Sequence, residues 1–187
     1  LLEEWAPQGQ KKEREEALAE LAQRYFTSHG PATLEDFVWW SGLTKADARS
    51  GLKMCPTELQ SGDIDSQTYW FWGRDFPVEK KVPFVALLPA FDEYYLGYRD
   101  RDAVVAAGFD KKAISNAGVF RPMIVVDGQI IGTWQKKMRK SSVVVHLKLF
   151  RSLTGTEKKA LDAAAGRYGA FLEMAALLNE DDPKTSL

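Results

Sequence analysis

The chain has 187 residues, 45% of them hydrophobic and 12% aromatic, which supplies core for one full domain or two small ones and excludes a disordered chain. Charged residues make up 27%, and apolar runs stop at about five residues against the roughly 20 that cross a bilayer, so no membrane partner is expected. The single cysteine, Cys55, excludes an internal disulfide, and no Cys/His spacing suits zinc, so a reducing, cytoplasmic compartment, no metal and no cofactor are expected.

A net charge of −1 hides an uneven layout. Residues 129–155 carry six Lys or Arg and no Asp or Glu, while every other stretch is balanced or acidic. A polyanion responds to local charge density, so this stretch is where phosphate contact costs least. The chain opens Leu1-Leu2-Glu3-Glu4-Trp5 with neither a methionine nor a signal pattern, and reads as a piece of a longer protein. A missing N-terminal domain of the same protein is then an expected partner.

Residues 1–13 read as a flexible tail. From Arg14 to Ser28, Leu18, Leu21, Ala22, Tyr25 and Phe26 fall on one helical face. His29-Gly30-Pro31 breaks that helix, and Thr33 with Asp36 caps a second one that ends at Gly42. Thr44 and Asp47 repeat the cap, predicting a third helix to about Met54. Two capped helices this close form a helix-turn-helix candidate, whose second helix can enter a major groove. On it Lys45, Arg49 and Lys53 share a stripe, with Ala48 and Leu52 on the packing flank. Leu59, a turn at Ser61-Gly62-Asp63 and the aromatic run Tyr69 to Trp72 suggest a hairpin, completing a winged helix over residues 14–76. Asp63 and Asp65 near that hairpin oppose phosphate contact.

Residues 77–180 read as an α+β, β-barrel-like unit. Pro83 to Pro89 is a strand candidate, and Phe91 to Arg101 alternates aromatics with charges. Asp127-Gly128 between β-rich runs signals a hairpin, with Val125 facing Ile130, Met123 facing Gly132, and Arg121 facing Trp134 for a cation–π contact. Val143 to Phe150 alternates as a further strand, with His146 and Lys148 on its less buried face. The connection from Trp134 to Ser142 concentrates Lys136, Lys137, Arg139 and Lys140. Thr154 and Glu157 cap a last helix expected to reach about Asn179, before a frayed tail at residues 181–187.

Three segments carry a family resemblance. Tyr25 to Thr33 with Asp36 to Leu43 and Ala48-Arg49, then Leu87 to Arg101, then Asp127 to Trp134, resemble in order and spacing a bacterial winged-helix family related to the AlkZ/YcaQ-like DNA glycosylases that unhook interstrand crosslinks. The likeness covers most of residues 14–175. It implies tandem winged helices plus a β-barrel-like unit, with the catalytic glutamine pair in an N-terminal winged-helix region absent from this chain. Gln8-Gly9-Gln10 is not that pair, because the family places an apolar residue between its glutamines and here Gly9 is central.

No residue is assigned a catalytic role. Asp92 with Glu93, and Asp100 with Asp102 beside Arg99 and Arg101, read as salt-bridging surface. His29 and His146 lack a Ser or Cys partner at triad spacing. Cys55 and the Trp39-Trp40 pair read as packing. The sequence therefore points to a DNA-binding fragment, non-catalytic by itself, that holds double-stranded DNA through Lys45, Arg49, Lys53, Lys136, Lys137, Arg139 and Lys140 pointing toward a common surface. The alternatives are the scaffold of a glycosylase whose catalytic region is missing, and a protein-interaction or small-ligand module in which Tyr94, Tyr95 and Tyr98 line a pocket.

Overall fold

The computed structural model describes residues 12–73, 83–105, 109 and 119–180. The chain divides into two compact units, one comprising Leu1–Pro77 with Gly97–Arg99, the other Val78–Leu96 with Asp100–Leu187. Gln8-Gly9-Gln10 and the 181–187 tail lie outside the described residues.

The first unit contains α1 (Arg14–His29), α2 (Leu34–Ser41), α3 (Lys45–Lys53), β1 (Leu59–Ile64) and β2 (Gln67–Trp72). Its helix boundaries are chemical. Thr33 and Asp36 form a complete capping box on α2, Gly42 ends that helix in the left-handed region at φ 68°, and the Thr44 hydroxyl accepts the Asp47 N–H to start α3. The helices close over Ala22, Tyr25, Phe26, Phe37, Ala48 and Leu59. α3 can approach α1 because Gly51 has no side chain, since a Cβ there would sit 2.6 Å from the Leu18 carbonyl.

The β1–β2 turn lies three to four residues later than the sequence suggests. Ser61, Gly62 and Asp63 belong to β1, Ile64 pairs with Gln67, and Asp65-Ser66 form the two-residue loop with φ of 49° and 65°. Two consecutive positive φ values give the loop the twist of the strands it joins. The hairpin is seated by reciprocal backbone hydrogen bonds between Ala32 and Trp70, at 3.0 and 2.8 Å. Gly97–Arg99 completes this unit: Tyr25 Oη donates to the Gly97 carbonyl, Tyr98 Oη to the His29 carbonyl, and the Arg99 N–H to Asp36 Oδ1. Buried Asp36 thus serves both the helix cap and this strap.

The second unit holds β3 (Val85–Leu88), α4 (Glu93–Leu96), β4 (Met123–Val126), β5 (Gln129–Met138), β6 (Ser142–Leu149), α5 (Gly155–Phe171) and β7 (Ala175–Glu180). The sheet order is β3-β4-β5-β6-β7, antiparallel except for the β6–β7 pair, so among the described residues the ladder is open and ends at β3 and β7 rather than closing into a barrel. α5 covers one face through Leu161 and Ala164 against Val85, Ile124, Val145 and Leu147. Tyr95 and Val105 pack on the other face against Met123, Val125 and Ile130.

Three expectations change here. The last helix stops at Phe171, not Asn179, because Glu173 takes φ 54° and the Glu173 and Met174 N–H groups return to Ala170 and Gly169, a helix-ending motif usually marked by glycine. Ala175 to Glu180 then runs as a strand beside β6. A bulge between Ile124 and Val125 keeps Val125 opposite Ile130 but pairs Met123 with Thr133. Trp134 consequently does not meet Arg121: its ring packs edge-on against Tyr168, and Nε1 donates to the Leu88 carbonyl at 2.8 Å.

Candidate nucleic-acid interface

Two cationic elements are present, one in each unit. On α3, Lys45, Arg49 and Lys53 are all exposed. The Lys45 ammonium is ion-paired with Glu35 of α2. Its hydrogen bond to the Glu35 carboxyl, opposed by desolvation, holds that carboxyl below its ordinary range. Arg49 and Lys53 make no ion pair among the described residues. The same helix is fastened by Asp47, which accepts from the Thr44 hydroxyl and pairs with Arg14 of α1 at 2.8 Å; the Thr44 bond and then Arg14 lower its pKa.

The second element is a hairpin arm, not the loop that the sequence suggested. Lys136 and Lys137 lie on β5 opposite Val145 and Val144, and only Arg139 to Ser142 form the loop, closed by the Arg139 N–H on the Ser142 carbonyl at 2.8 Å. Alternation puts Lys136 on the Trp134 face and Lys137 on the opposite one. Lys136, Lys137, Arg139 and Lys140 are all exposed and form no ion pair among the described residues. Four cations within five residues repel one another, and an aligned row of phosphates relieves that repulsion.

Other charges have local duties. Arg151 pairs with Glu157 through both guanidinium nitrogens at 3.0 and 2.7 Å, and Glu157 also accepts the Thr154 N–H. The Arg151 bond, followed by the Thr154 backbone bond, brings the Glu157 carboxyl down to about 2. Asp92 Oδ1 accepts the Tyr94 N–H, Asp100 Oδ1 accepts the Asp102 N–H, and Arg101 donates to the Tyr95 carbonyl while lying 4.6 Å from that ring.

Tyr94 Oη donates to the Gly128 carbonyl and burial pushes its pKa up, Tyr95 is buried, and Tyr98 belongs to the first unit. His29 stacks on Tyr25 and also meets Trp40 and Tyr98, whereas Trp39 is exposed. Burial raises the Cys55 pKa, and its thiol donates to the Ala19 and Gly51 carbonyls. One cation outside the predicted set, exposed Lys148 of β6, stands opposite Thr133 and so shares a sheet face with Lys137.

A mixed α+β chain with an open sheet and two exposed cationic elements defines the class only coarsely; similarity to known proteins narrows it. Residues 1–171 match the family described as DNA glycosylase AlkZ-like, and the chain belongs to that family. It is 29% identical over 134 residues to an interstrand DNA cross-link repair glycosylase of Streptomyces sahachiroi, covering 68% of this chain and 36% of that protein. The structure of the Streptomyces sahachiroi DNA glycosylase AlkZ matches 92% of this chain and 48% of its own, at 22% identity and a TM-score of 0.72, a likeness of fold. The chain thus spans between about a third and half of the length of these relatives.

Proposed function

We propose that this chain is the DNA-holding portion of an AlkZ-like glycosylase, with α1 to α3 and β1–β2 acting as a winged helix and the β5–β6 arm gripping backbone phosphates. Lys136, Lys137, Arg139 and Lys140 supply the main contacts, and Arg49 and Lys53 add to them from α3. Lys45 joins by exchanging Glu35 for a phosphate, an exchange with little penalty because an exposed ion pair is worth only about 0–1 kcal/mol. On this reading base release belongs to a part of the relatives' length that this chain does not match, and that part is its partner in the whole protein.

The observation that carries the reading is the exposed β5–β6 arm inside a 27-residue stretch free of carboxylates. Charge alone is non-specific, but here it is mounted on a chain whose family is one of DNA glycosylases. If about five of these cations each neutralise a phosphate, log affinity falls with log salt at a slope of roughly −4 to −5, and the dissociation constant at 0.1 M salt is on the order of tens of micromolar. Fluorescence anisotropy with a labelled 20-base-pair duplex measures both. A salt-independent signal, or no binding at 20 mM salt, overturns the proposal.

A further inference from the structure

The two edges of the five-stranded sheet are finished differently. β3 lies between Pro83 and Pro89, and side chains occupy two of its carbonyls: Arg167 donates to Val85 at 3.1 Å and Trp134 Nε1 to Leu88 at 2.8 Å. β7 has no such cover. Its backbone pairs with β6 alone among the described residues, and half of its six residues turn N–H and C=O away from β6. Ala175-Ala176-Leu177-Leu178 holds no proline and no charge, the devices that keep an edge strand from pairing. Large apolar side chains are exposed beside it, Leu177 at 49% and, four residues before the strand, Phe171 at 82%.

We infer that β7 is an interaction edge that takes β7 of a second copy of this chain, antiparallel and across a two-fold axis, so that the sheet continues from one subunit into the next. The inference stands apart from the DNA-holding reading. Charge selects the partner and its direction. At one end Ala175 pairs with Ser142, which ties the strand to the loop bearing Arg139 and Lys140, with Glu173 as the nearby carboxylate. At the other end stands Glu180, followed in sequence by Asp181 and Asp182, with Lys148 next to Leu147, the residue opposite Glu180, as the opposing charge. The strand thus runs from a net cationic end to a net anionic one through an apolar middle. An antiparallel copy brings unlike ends together twice, whereas a parallel copy sets like against like.

With the two-fold at Leu177, that side chain meets its own copy, Ala175 faces Asn179, and the partner's Glu180 comes alongside Met174. One strand spacing separates β7 from its copy and another separates it from β6, so the backbone of the partner's Glu180 lies about 10 Å from the loop that carries Arg139 and Lys140. An extended Arg or Lys and a Glu close that gap between them. One pair of six-residue strands falls short of the about 1,200 Å² of a stable interface, so the association is reversible and follows concentration.

Sedimentation velocity of the chain without DNA, from about 10 µM to about 1 mM at 0.1 M salt, reads the pairing. A monomer–dimer equilibrium is expected, with no larger species because an isologous contact uses up the edge. Leu177→Lys sets two ammonium groups face to face and should weaken dimerisation about tenfold or more. Glu180→Lys removes two exposed ion pairs and should weaken it about threefold or more, and combining it with Arg139→Glu and Lys140→Glu should restore the wild-type equilibrium. Circular dichroism checks each variant, and Glu180→Lys, at an exposed strand end, carries the test should Leu177→Lys lose its fold. A monomer throughout the range, a dimer as strong in the folded variants as in the wild type, or species growing beyond the dimer overturns the inference.

Discussion

The β1–β2 and β5–β6 hairpins are both antiparallel, yet they carry opposite charge at their tips and have different supports. β1–β2 ends in Asp65-Ser66 with Asp63 close by, and Asp63 is occupied by the Thr68 hydroxyl at 2.7 Å. Its aromatic strand turns Trp70 and Trp72 toward the helices, and its backbone is bonded to Ala32. β5–β6 is longer, rooted by buried Trp134, Val143, Val145 and Leu147, and its outer end from Gln135 to Ser141 is exposed. One hairpin uses its side chains to complete a core, and the other holds them out in solvent. Antiparallel pairing is common to both, so the placement of their side chains, and not the pairing, separates the hairpin that builds a core from the one proposed to bind.

The comparison breaks most readily at the basic tip. Replacing Lys136, Lys137, Arg139 and Lys140 together by alanine should lower duplex affinity about a thousandfold or more at 0.1 M salt, because each phosphate contact is worth about a factor of ten there. Anisotropy titration checks this; a loss under tenfold means the arm does not hold the duplex.

The next largest effect lies under the other hairpin. A Cβ on Gly30 would meet the Phe26 carbonyl oxygen at 2.4 Å and the Phe71 Cα at 2.9 Å, both backbone atoms with little room to move. Gly30→Ala should therefore cost about 3 kcal/mol of stability. Asp36→Ala, which removes the α2 cap and the acceptor for Arg99, should cost about 2–3 kcal/mol. Urea unfolding followed by tryptophan fluorescence reads both.

A smaller effect sharpens the account of what supports the basic arm. Glu157 caps α5, which packs behind β5 and β6, and Glu157→Gln should cost about 1 kcal/mol at pH 7. Its carboxyl falls from 4.5 to about 2 on folding, so between those values the unfolded chain binds more protons. The stabilisation is complete above about pH 4.5 and is lost as pH falls toward 2. Thermal melts from pH 6 to 2.5 should show a shallower acid decline in Glu157→Gln than in the wild type. Smallest of all, Asp63→Asn with Asp65→Asn should raise duplex affinity less than about threefold, since it removes repulsion without adding a contact. A larger gain in the anisotropy titration would mean that β1–β2 also lies against DNA.

What the sequence disclosed depended on whether the signal was local. Thr33, Thr44 and Thr154 each mark a helix start, and Asp127-Gly128 marks the β4–β5 turn, because caps and tight loops are written in three or four adjacent residues. The end of α5 was hidden because Glu173, not glycine, holds the left-handed position and Ala175-Ala176-Leu177-Leu178 has helical propensity; pairing with β6 overrides it. Lys136 and Lys137 looked like loop because an exposed strand end has no apolar alternation, and only their partners Val145 and Val144 show them to be strand. Glu35 beneath Lys45 was equally illegible, since the two are ten positions apart and meet through the α2–α3 turn. The resemblance to the glycosylase family was legible in the Leu87 to Arg101 and Asp127 to Trp134 segments, and the family match bears it out.

The central claim is that DNA sits on the basic hairpin and not on the acidic one. Backbone amide shifts of the isotope-labelled chain, followed by NMR while an unlabelled 20-base-pair duplex is added at 50 mM salt, address each tip separately. The account predicts the largest changes from Gln135 to Ser142, smaller ones at Arg49 and Lys53, and still signals from Gly62 to Gln67. Shifts concentrated at Gly62 to Gln67, with Gln135 to Ser142 silent, would contradict it.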